Sequence, residues 1–285
     1  STSTATIELW GTLCNQIYTA NAVIGTVDNE TSDPTLQFYL ALALAIRAFD
    51  YFTLVQLYQF NYKGHEDAPG VPIITSENAE EVAANGCARS TVKETYEFIL
   101  GDLNKAIELL ANTKKTRSDK RYVSLDVAYG IRARVHLTMH NYADALKDAE
   151  AALASTSSVP YSSAAVSKPT FIDIEDASWM WGILITDKDR VSTTGICNFP
   201  SHMGSLNYGY ASVGGWRRIS PKLYNQIPES DVRKGWFLDD TGVSVNLPAA
   251  AQAYITKKGA PVYTQVKYGP MNDEWGSNNN ATDVI

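Results

Sequence analysis

Two stretches near the start of the chain repeat apolar residues at intervals of three and four, the spacing of one face of an α-helix. The first covers residues 7–25, and Gly25 can end it. The second follows a capping box formed by Thr91 and Glu94 and continues to about Ala111. The pattern therefore predicts two amphipathic helices in these positions.

The apolar run Phe38 to Tyr58 lies between these helices and is about long enough to cross a membrane. It carries Arg47 and Asp50, each of which costs roughly 2.5–3.5 kcal/mol at the centre of a membrane helix. We therefore expect no transmembrane segment. The run predicts a helix buried on nearly all sides, with Arg47 and Asp50 facing paired polar sites.

Residues 61–89 are rich in glycine and proline and predict a long excursion from the helical pattern. Two further helices, over about 124–139 and 141–154, are separated by almost nothing, which is typical of an antiparallel helical hairpin. Small residues recur in that hairpin as in a tetratricopeptide-type repeat. They are Ala133, Ala145 and Ala152.

The composition changes after about residue 156, where Ser, Thr, Gly and aromatic residues become frequent and regular helical periodicity disappears. The segment 261–268 is a candidate extended piece. The fold class predicted for the chain is mainly α. We expect one domain over residues 1–285, with a tetratricopeptide-like helical-repeat scaffold at 1–155 and an irregular, aromatic-rich, ligand-binding part at 156–285.

Charge argues against a nucleic-acid partner. The chain has 285 residues, with 24 Lys and Arg against 31 Asp and Glu, and a net charge of −7. No block of basic residues interrupts this balance, whereas phosphate binding needs clustered Lys and Arg. An anionic membrane surface is disfavoured for the same reason. Aromatic residues are frequent, with 16 Tyr, 8 Phe and 6 Trp, and this excess favours a surface for flat-faced ligands.

No arrangement typical of an enzyme is evident. His136 and His140 have the spacing of two zinc ligands on a helix, but the glutamate of an HExxH site is missing, so packing or surface roles are expected. Asp173, Glu175 and Asp176 form a carboxylate cluster that could be imagined as a glycosidase pair, but a solvated loop is the simpler interpretation.

Neither a structural metal nor a disulfide framework is indicated. The cysteines Cys14, Cys87 and Cys197 are far apart and odd in number. Asp187, Asp189 and the 272–280 stretch supply oxygen donors for calcium, but they lack EF-hand spacing and are explained by turn chemistry. We expect no cofactor, with calcium as the one alternative.

The segment 207–218 carries the most informative candidate site. Three aromatic rings alternate with glycines beside amide and guanidinium donors, as carbohydrate capture requires, because sugar CH faces stack on rings while hydroxyls take polar partners. The alternative is that the rings pack the loop onto the scaffold. The candidate ligand-binding residues are Asn207, Tyr208, Tyr210, Trp216 and Arg217, together with Trp179 and Trp275 outside the loop.

Six short patterns in family order over residues 7–236 resemble the SusD/RagB-like outer-membrane nutrient-binding lipoproteins of Bacteroidetes. The matching pieces are Trp10-x6-Ile17-x3-Asn21, Ile46-Arg47-Ala48-Phe49-x2-Phe52-x-Leu54-Val55, Gly70-Val71-Pro72-Ile73, Arg89-x-Thr91-Val92-x3-Tyr96 continuing to Asp102-Leu103-x2-Ala106, Ala128-x4-Ala133-Arg134-Val135-x-Leu137, and Asp231-x-Arg233-Lys234.

The resemblance implies non-catalytic capture of an oligosaccharide at the cell surface and delivery to a SusC-like TonB-dependent transporter of the outer membrane. It implies attachment to that membrane only through a lipid anchor that this chain does not carry, and we expect the chain to be truncated relative to the family at both ends. Ligand residues of the family lie on variable loops, so none is transferred by position.

Three other functions stay open from the sequence. Peptide capture, as in the RagB branch, would be favoured for basic peptides by the net charge. A protein-interaction scaffold would use the repeat surface and leave the aromatic loops structural. A glycosidase would need a carboxylate pair and has no positive support.

Overall fold

The computed structural model describes residues 4–184, 186 and 199–276. It divides into two compact units, Ser1–Thr156 and Ser157–Ile285, which we call the helical unit and the loop-rich unit. Among the described residues there is no β-strand, so the mainly α fold class is confirmed.

Six helices lie in the described part of the helical unit. The bounds of five agree with the predictions to within a few residues, and α3 was not predicted. The six are α1 Thr4–Thr26, α2 Pro34–Tyr58, α3 Ala79–Asn85, α4 Val92–Asn112, α5 Leu125–Thr138 and α6 Tyr142–Ser155. Helix α2 packs against both α1 and α4, α5 pairs with α6, and α4 contacts α5. Short α3, which lies within the predicted excursion, has no buried residue.

The helix ends follow from their sequences. Asp33 caps α2 by accepting hydrogen bonds from the backbone N–H groups of Thr35 and Leu36, and Pro34 occupies the first helical position. The predicted capping box of α4 is confirmed. The Glu94 carboxylate accepts from the Thr91 N–H at 2.7 Å, and the Thr91 hydroxyl accepts from the Glu94 N–H at 3.1 Å.

Helix α2 is the core of the helical unit. By length and composition it could cross a membrane, but 72 % of its most apolar window is buried inside the structure, as in the core helix of a folded domain. The predicted pairing of Arg47 is confirmed, since its guanidinium binds Asp102 and Asn21. The predicted pairing of Asp50 is wrong: Asp50 is 2 % exposed, and in the described part of the chain its Oδ2 has no hydrogen-bond partner.

The hairpin of α5 and α6 also matches its prediction. Ala145 and Ala152 are buried where the two helices approach, and His140 makes the tight join in a left-handed conformation with φ 64°. Arg132 of α5 forms a bidentate ion pair with Asp148 of α6, with both N–O distances 2.7 Å. The pair fixes the register of the hairpin.

The loop-rich unit contains more regular structure than the sequence predicts. Its helices are α7 Ser163–Val166, α8 Phe199–Met203, α9 Pro221–Tyr224 and α10 Ala249–Lys257, with 3₁₀ turns at Tyr210–Ser212, Val232–Trp236 and Met271–Asp273. The expectation that helical structure disappears after residue 156 is therefore wrong for α10. The predicted extended piece at 261–268 supplies three isolated bridges, from Thr264 to Arg218, Gln265 to Phe237 and Tyr268 to Thr170.

A small hydrophobic cluster holds the loop-rich unit together. Its buried members come from four separate segments, and half-buried aromatic residues pack around them. The cluster consists of Leu206, Leu238, Ile255 and Val266. Because no long helix organises these segments, the cluster and backbone hydrogen bonds between loops fix their positions.

Candidate functional site

The aromatic loop 207–218 turns tightly at Gly209. The Gly209 N–H donates to the Ser212 hydroxyl at 3.1 Å, and the Gly215 N–H donates to the Tyr210 carbonyl at 2.7 Å. A Cβ on Gly209 would lie 2.6 Å from the Cα of Ser201, so only glycine allows this close approach. The turn leaves the rings on either side of Gly209 exposed.

Tyr208 and Tyr210 present their rings to solvent, with 46 % and 42 % of their surface exposed. The ring centroid of His202 lies 5.1 Å from that of Tyr210. Arg217 donates from Nε to the His202 carbonyl at 2.9 Å, which places its guanidinium beside this imidazole. We call these four residues the tyrosine patch. It combines ring faces with donor groups.

Trp216 and Trp275 lie between the interior and the surface of the loop-rich unit. Both are half-buried and pack against the hydrophobic cluster. The N–H of Gly276 donates to the carbonyl of Leu206 at 2.8 Å, so the segment that carries Trp275 is fastened to the residue preceding the aromatic loop. The structure thus brings Trp275 and the loop together although about sixty residues separate them.

Two candidate residues are interior instead of exposed. Trp179 is 2 % exposed, and its indole N–H donates to the Tyr161 hydroxyl at 2.8 Å. Asn207 is 3 % exposed. Neither side chain offers a surface on which a sugar could stack or bind, so the expectation of ligand contact is corrected for both. The position of Trp179 is explained better by packing of its ring in the interior than by contact with a ligand.

A cavity of about 800 Å³ lies in the loop-rich unit, and Trp275 lines it. We call it the acidic cavity because four carboxylate side chains reach its wall. Segments near 161–176, 245–248 and 273–275 surround it. Its polar and aromatic lining residues include Tyr161, Asp173, Glu175, Asp176, Asp273 and Trp275.

The carboxylate cluster noticed in the sequence is part of this wall. Asp173 accepts from the N–H of Glu175 at 2.8 Å, and Asp176 accepts from the N–H of Ser178 at 2.8 Å. Local backbone bonds therefore position Asp173 and Asp176, while Glu175 is exposed. No local sequence pattern joins these residues to Asp273 and Trp275, because their proximity depends on the tertiary fold.

Tyr161 was missed by sequence reasoning. It lines the acidic cavity and is half-buried, and burial raises the pKa of its hydroxyl to about 12. The phenol therefore stays protonated at neutral pH. Its aromatic ring lies edge-to-face with Phe171, with 5.2 Å between ring centroids.

Lys267 supports the segment beside the cavity. Its ammonium lies 4.0 Å from the ring centroid of Phe171, 4.8 Å from that of Trp236 and 5.2 Å from that of Tyr268. Burial lowers the pKa of this lysine. Its carbonyl accepts from the N–H of Thr170 at 2.9 Å. The contacts are those of a structural cation–π cluster.

His136 and His140 make contacts typical of packing or surface roles. His136 lies 3.8 Å from a carboxylate oxygen of Asp148, and the ring of His140 stacks on Tyr142. Cys14 is half-buried and Cys87 exposed, both as free thiols. Within the described ranges, no three His, Cys, Asp or Glu residues are grouped to hold a metal ion. Asp187, Asp189 and Cys197 lie outside those ranges.

Comparison with known proteins finds a similarity to one family. Residues 1–137 match a SusD-like family described as starch-binding and associating with the outer membrane. A curated SusD-like protein P2 from Formosa agariphila is 25 % identical over 270 residues, which cover 89 % of this chain and 48 % of that protein. The family match covers a little under half of the 285 residues, so it shows that this chain is similar to SusD-like proteins.

Solved structures have the same fold. A SusD-like carbohydrate binding protein from Bacteroides vulgatus superposes with a TM-score of 0.73 at 22 % identity, covering 97 % of this chain and 54 % of that one. A SusD superfamily protein from Bacteroides thetaiotaomicron gives 0.67 at 22 % identity, with 95 % and 57 % covered. A laminarin binding SusD-like protein gives 0.63 at 16 % identity, with 97 % and 62 % covered. The chain spans about half the length of the first two relatives.

Proposed function

We propose that this protein captures an oligosaccharide without cleaving it, and that the loop-rich unit carries the binding site. The observation that carries the proposal is the position of Trp275. It packs against the hydrophobic cluster and also lines a cavity of about 800 Å³. An aromatic ring supported by a core and adjoining a polar cavity is suited to stack on a pyranose.

The polar groups around Trp275 complement the ring. Carboxylates on the wall can accept hydrogen bonds from sugar hydroxyls. The tyrosine patch adds two exposed rings and the Arg217 guanidinium as a second contact surface of the same unit. A few rings and hydrogen bonds give micromolar to millimolar affinity, which allows release of the sugar.

The similarity to SusD-like proteins supports the cellular part of the proposal. The matching family is described as starch-binding and associating with the outer membrane, and one structural relative is described as laminarin binding. We infer that the captured glycan is delivered at the cell surface to a SusC-like TonB-dependent transporter. A lipid anchor on the native protein would hold it at the outer membrane.

Calorimetric titration with neutral oligosaccharides tests the site. We expect Trp275→Ala to weaken binding about tenfold or more, and Tyr208→Ala to weaken it about threefold, in line with about 0.5–1.5 kcal/mol for a ring contact. Because Trp275 also packs against the cluster, Trp275→Phe is measured beside it; it should keep the fold and retain part of the affinity.

Tyr18→Ala is the matched control, since it removes a tyrosine that is 72 % exposed from the helical unit. It should leave glycan affinity unchanged. Wild-type protein that binds no oligosaccharide would overturn the proposed function. A loss of affinity in Tyr18→Ala with none in Trp275→Ala would remove the site from the loop-rich unit.

A further inference from the structure

The charge of the acidic cavity bears on which glycan enters it. Among the described residues that line it, the carboxylates of Asp173, Glu175, Asp176 and Asp273 are opposed by one ammonium, that of Lys168. The net charge of this lining is therefore −3 at neutral pH. Walls that carry one sign of charge raise the local concentration of ligands of the opposite sign.

We propose that the acidic cavity prefers glycans that carry free amino groups, such as glucosamine oligomers, over neutral and acidic glycans. The inference rests on the proposed function, because it takes the cavity as the glycan site. A protonated amine placed near several carboxylates gains charge-assisted hydrogen bonds, which are stronger than those of a hydroxyl.

The Lys267 ammonium does not neutralise the wall. The Lys267 ammonium lies over the rings of Phe171, Trp236 and Tyr268, and Lys267 is absent from the described lining of the cavity. A uronic acid or sulfated glycan would therefore bring its negative charges against the carboxylates, and Lys168 is the one cation among the described lining residues that could pair them. Electrostatic repulsion disfavours such ligands.

The aromatic part of the wall favours a sugar over a simple cation. Trp275 and Tyr161 line the same cavity as the carboxylates. A ring that stacks on a pyranose and a carboxylate that binds its amino group recognise two parts of one amino sugar. A basic peptide would satisfy the charges, and it serves as a contrasting ligand in the test.

The experiment compares oligomers of equal length by calorimetry near pH 6, where the glucosamine amine is protonated. Glucosamine, N-acetylglucosamine and galacturonic acid hexamers are titrated at low and high salt, because exposed charge interactions are screened by salt. We expect the glucosamine hexamer to bind about tenfold tighter than its acetylated counterpart at low salt, an advantage of about 1.4 kcal/mol that shrinks at high salt.

The double variant Glu175→Gln, Asp273→Asn assigns the preference to the cavity. Both residues are exposed, and Asn tolerates the φ of 55° observed at Asp273. The variant should weaken binding of the glucosamine hexamer much more than binding of the acetylated hexamer, and so lose most of the preference, because only the charged amine loses charge-assisted hydrogen bonds. The control Glu80→Gln, Glu81→Gln removes two exposed charges from α3 and should retain the full preference.

The outcomes separate this inference from the proposed function. Equal binding of the glucosamine and acetylated hexamers to wild type overturns the inference and leaves glycan capture standing. The inference is also overturned if the galacturonate hexamer binds most tightly, if a lysine hexapeptide binds more tightly than the glucosamine hexamer, or if the cavity variant keeps the preference unchanged. Binding of no hexamer overturns both proposals.

Discussion

Arg47 of α2 and Asp102 of α4 form a bidentate ion pair in the interior of the helical unit. The Arg47 Nε lies 2.7 Å from Asp102 Oδ2, and Nη2 lies 2.8 Å from Oδ1. The remaining guanidinium nitrogen donates to Asn21 of α1 at 2.7 Å, and the Asn21 amide donates to the carbonyl of Ile74 at 2.8 Å. One network thus joins three helices and the excursion.

Removal of one partner from this pair should destabilise the protein strongly. Asp102→Ala leaves the Arg47 guanidinium buried without its carboxylate, and we expect a loss of about 3–5 kcal/mol in the free energy of unfolding. Urea unfolding followed by circular dichroism measures the change. Glu108→Ala is the control on the same helix, because its partner Lys105 is partly exposed and the expected loss is below about 1 kcal/mol. Similar losses of unfolding free energy in both variants would contradict the assignment of Arg47 and Asp102 as a buried, stabilising ion pair.

The stability of the protein should depend on the charge of Asp50. Burial raises the pKa of this carboxyl from 3.8 to about 7. The folded state therefore holds its proton up to a higher pH than the unfolded state does. The stabilisation of the protonated form is complete below about pH 4 and is lost as the pH rises to about 7.

Asp50→Asn should remove this pH dependence. Relative to wild type, the variant should gain about 2–4 kcal/mol in the free energy of unfolding at pH 8 and little at pH 4. Asp67→Asn, at an exposed position, serves as the control and should shift neither value. Urea midpoints for Asp50→Asn that run parallel to those of wild type between pH 4 and pH 8 would show that Asp50 titrates normally.

Loss of the capping box should weaken α4. Thr91→Ala removes the hydroxyl that accepts from the Glu94 N–H, and we expect a loss of about 1 kcal/mol. Thermal unfolding measures this change. Thr12→Ala replaces an exposed threonine inside α1, where alanine is the better helix former, and should cause no loss.

Trp216 and Tyr208 should respond differently to truncation, although they lie in the same loop. Trp216 packs against the hydrophobic cluster, so Trp216→Ala should cost about 1–3 kcal/mol of stability. Tyr208 is 46 % exposed, and Tyr208→Ala should leave thermal unfolding nearly unchanged. Equal stability losses in the two variants would mean that Tyr208 also supports the core. A loss of glycan affinity in Tyr208→Ala could then not be assigned to a lost contact between the tyrosine ring and the glycan.

Local patterns predicted the helical unit well. The capping box, the spacing of apolar residues and the small residues of the hairpin depend on neighbours within one or two turns. The capping box and the burial of Ala145 and Ala152 were confirmed, whereas Ala133 is half-buried. The partner of Arg47 was predicted to exist but not to be Asp102, since the pair spans 55 residues. The missing hydrogen-bond partner of Asp50 could not be predicted, because the local sequence gives no sign that Arg47 is paired and Asp50 is not.

The loop-rich unit depends on contacts that no local pattern records. The run of small residues after Pro248 forms α10 through burial of Ala251 and Ile255, and alanine-rich composition following a proline was the available signal. The exposure of Tyr208 and Tyr210 matches the proposed role of their loop. Burial of Trp179 and the meeting of Tyr161 with Trp275 at one cavity follow from tertiary packing alone.

Tryptophan fluorescence titration tests glycan capture most directly, because Trp275 and Trp216 report on the loop-rich unit. Wild-type protein is titrated with soluble plant, host and microbial polysaccharides and, for contrast, with a peptide digest. We predict a saturable change with at least one glycan, reduced in Trp275→Phe, and none with the peptides. A saturable response to peptides together with no response to any glycan would contradict the account.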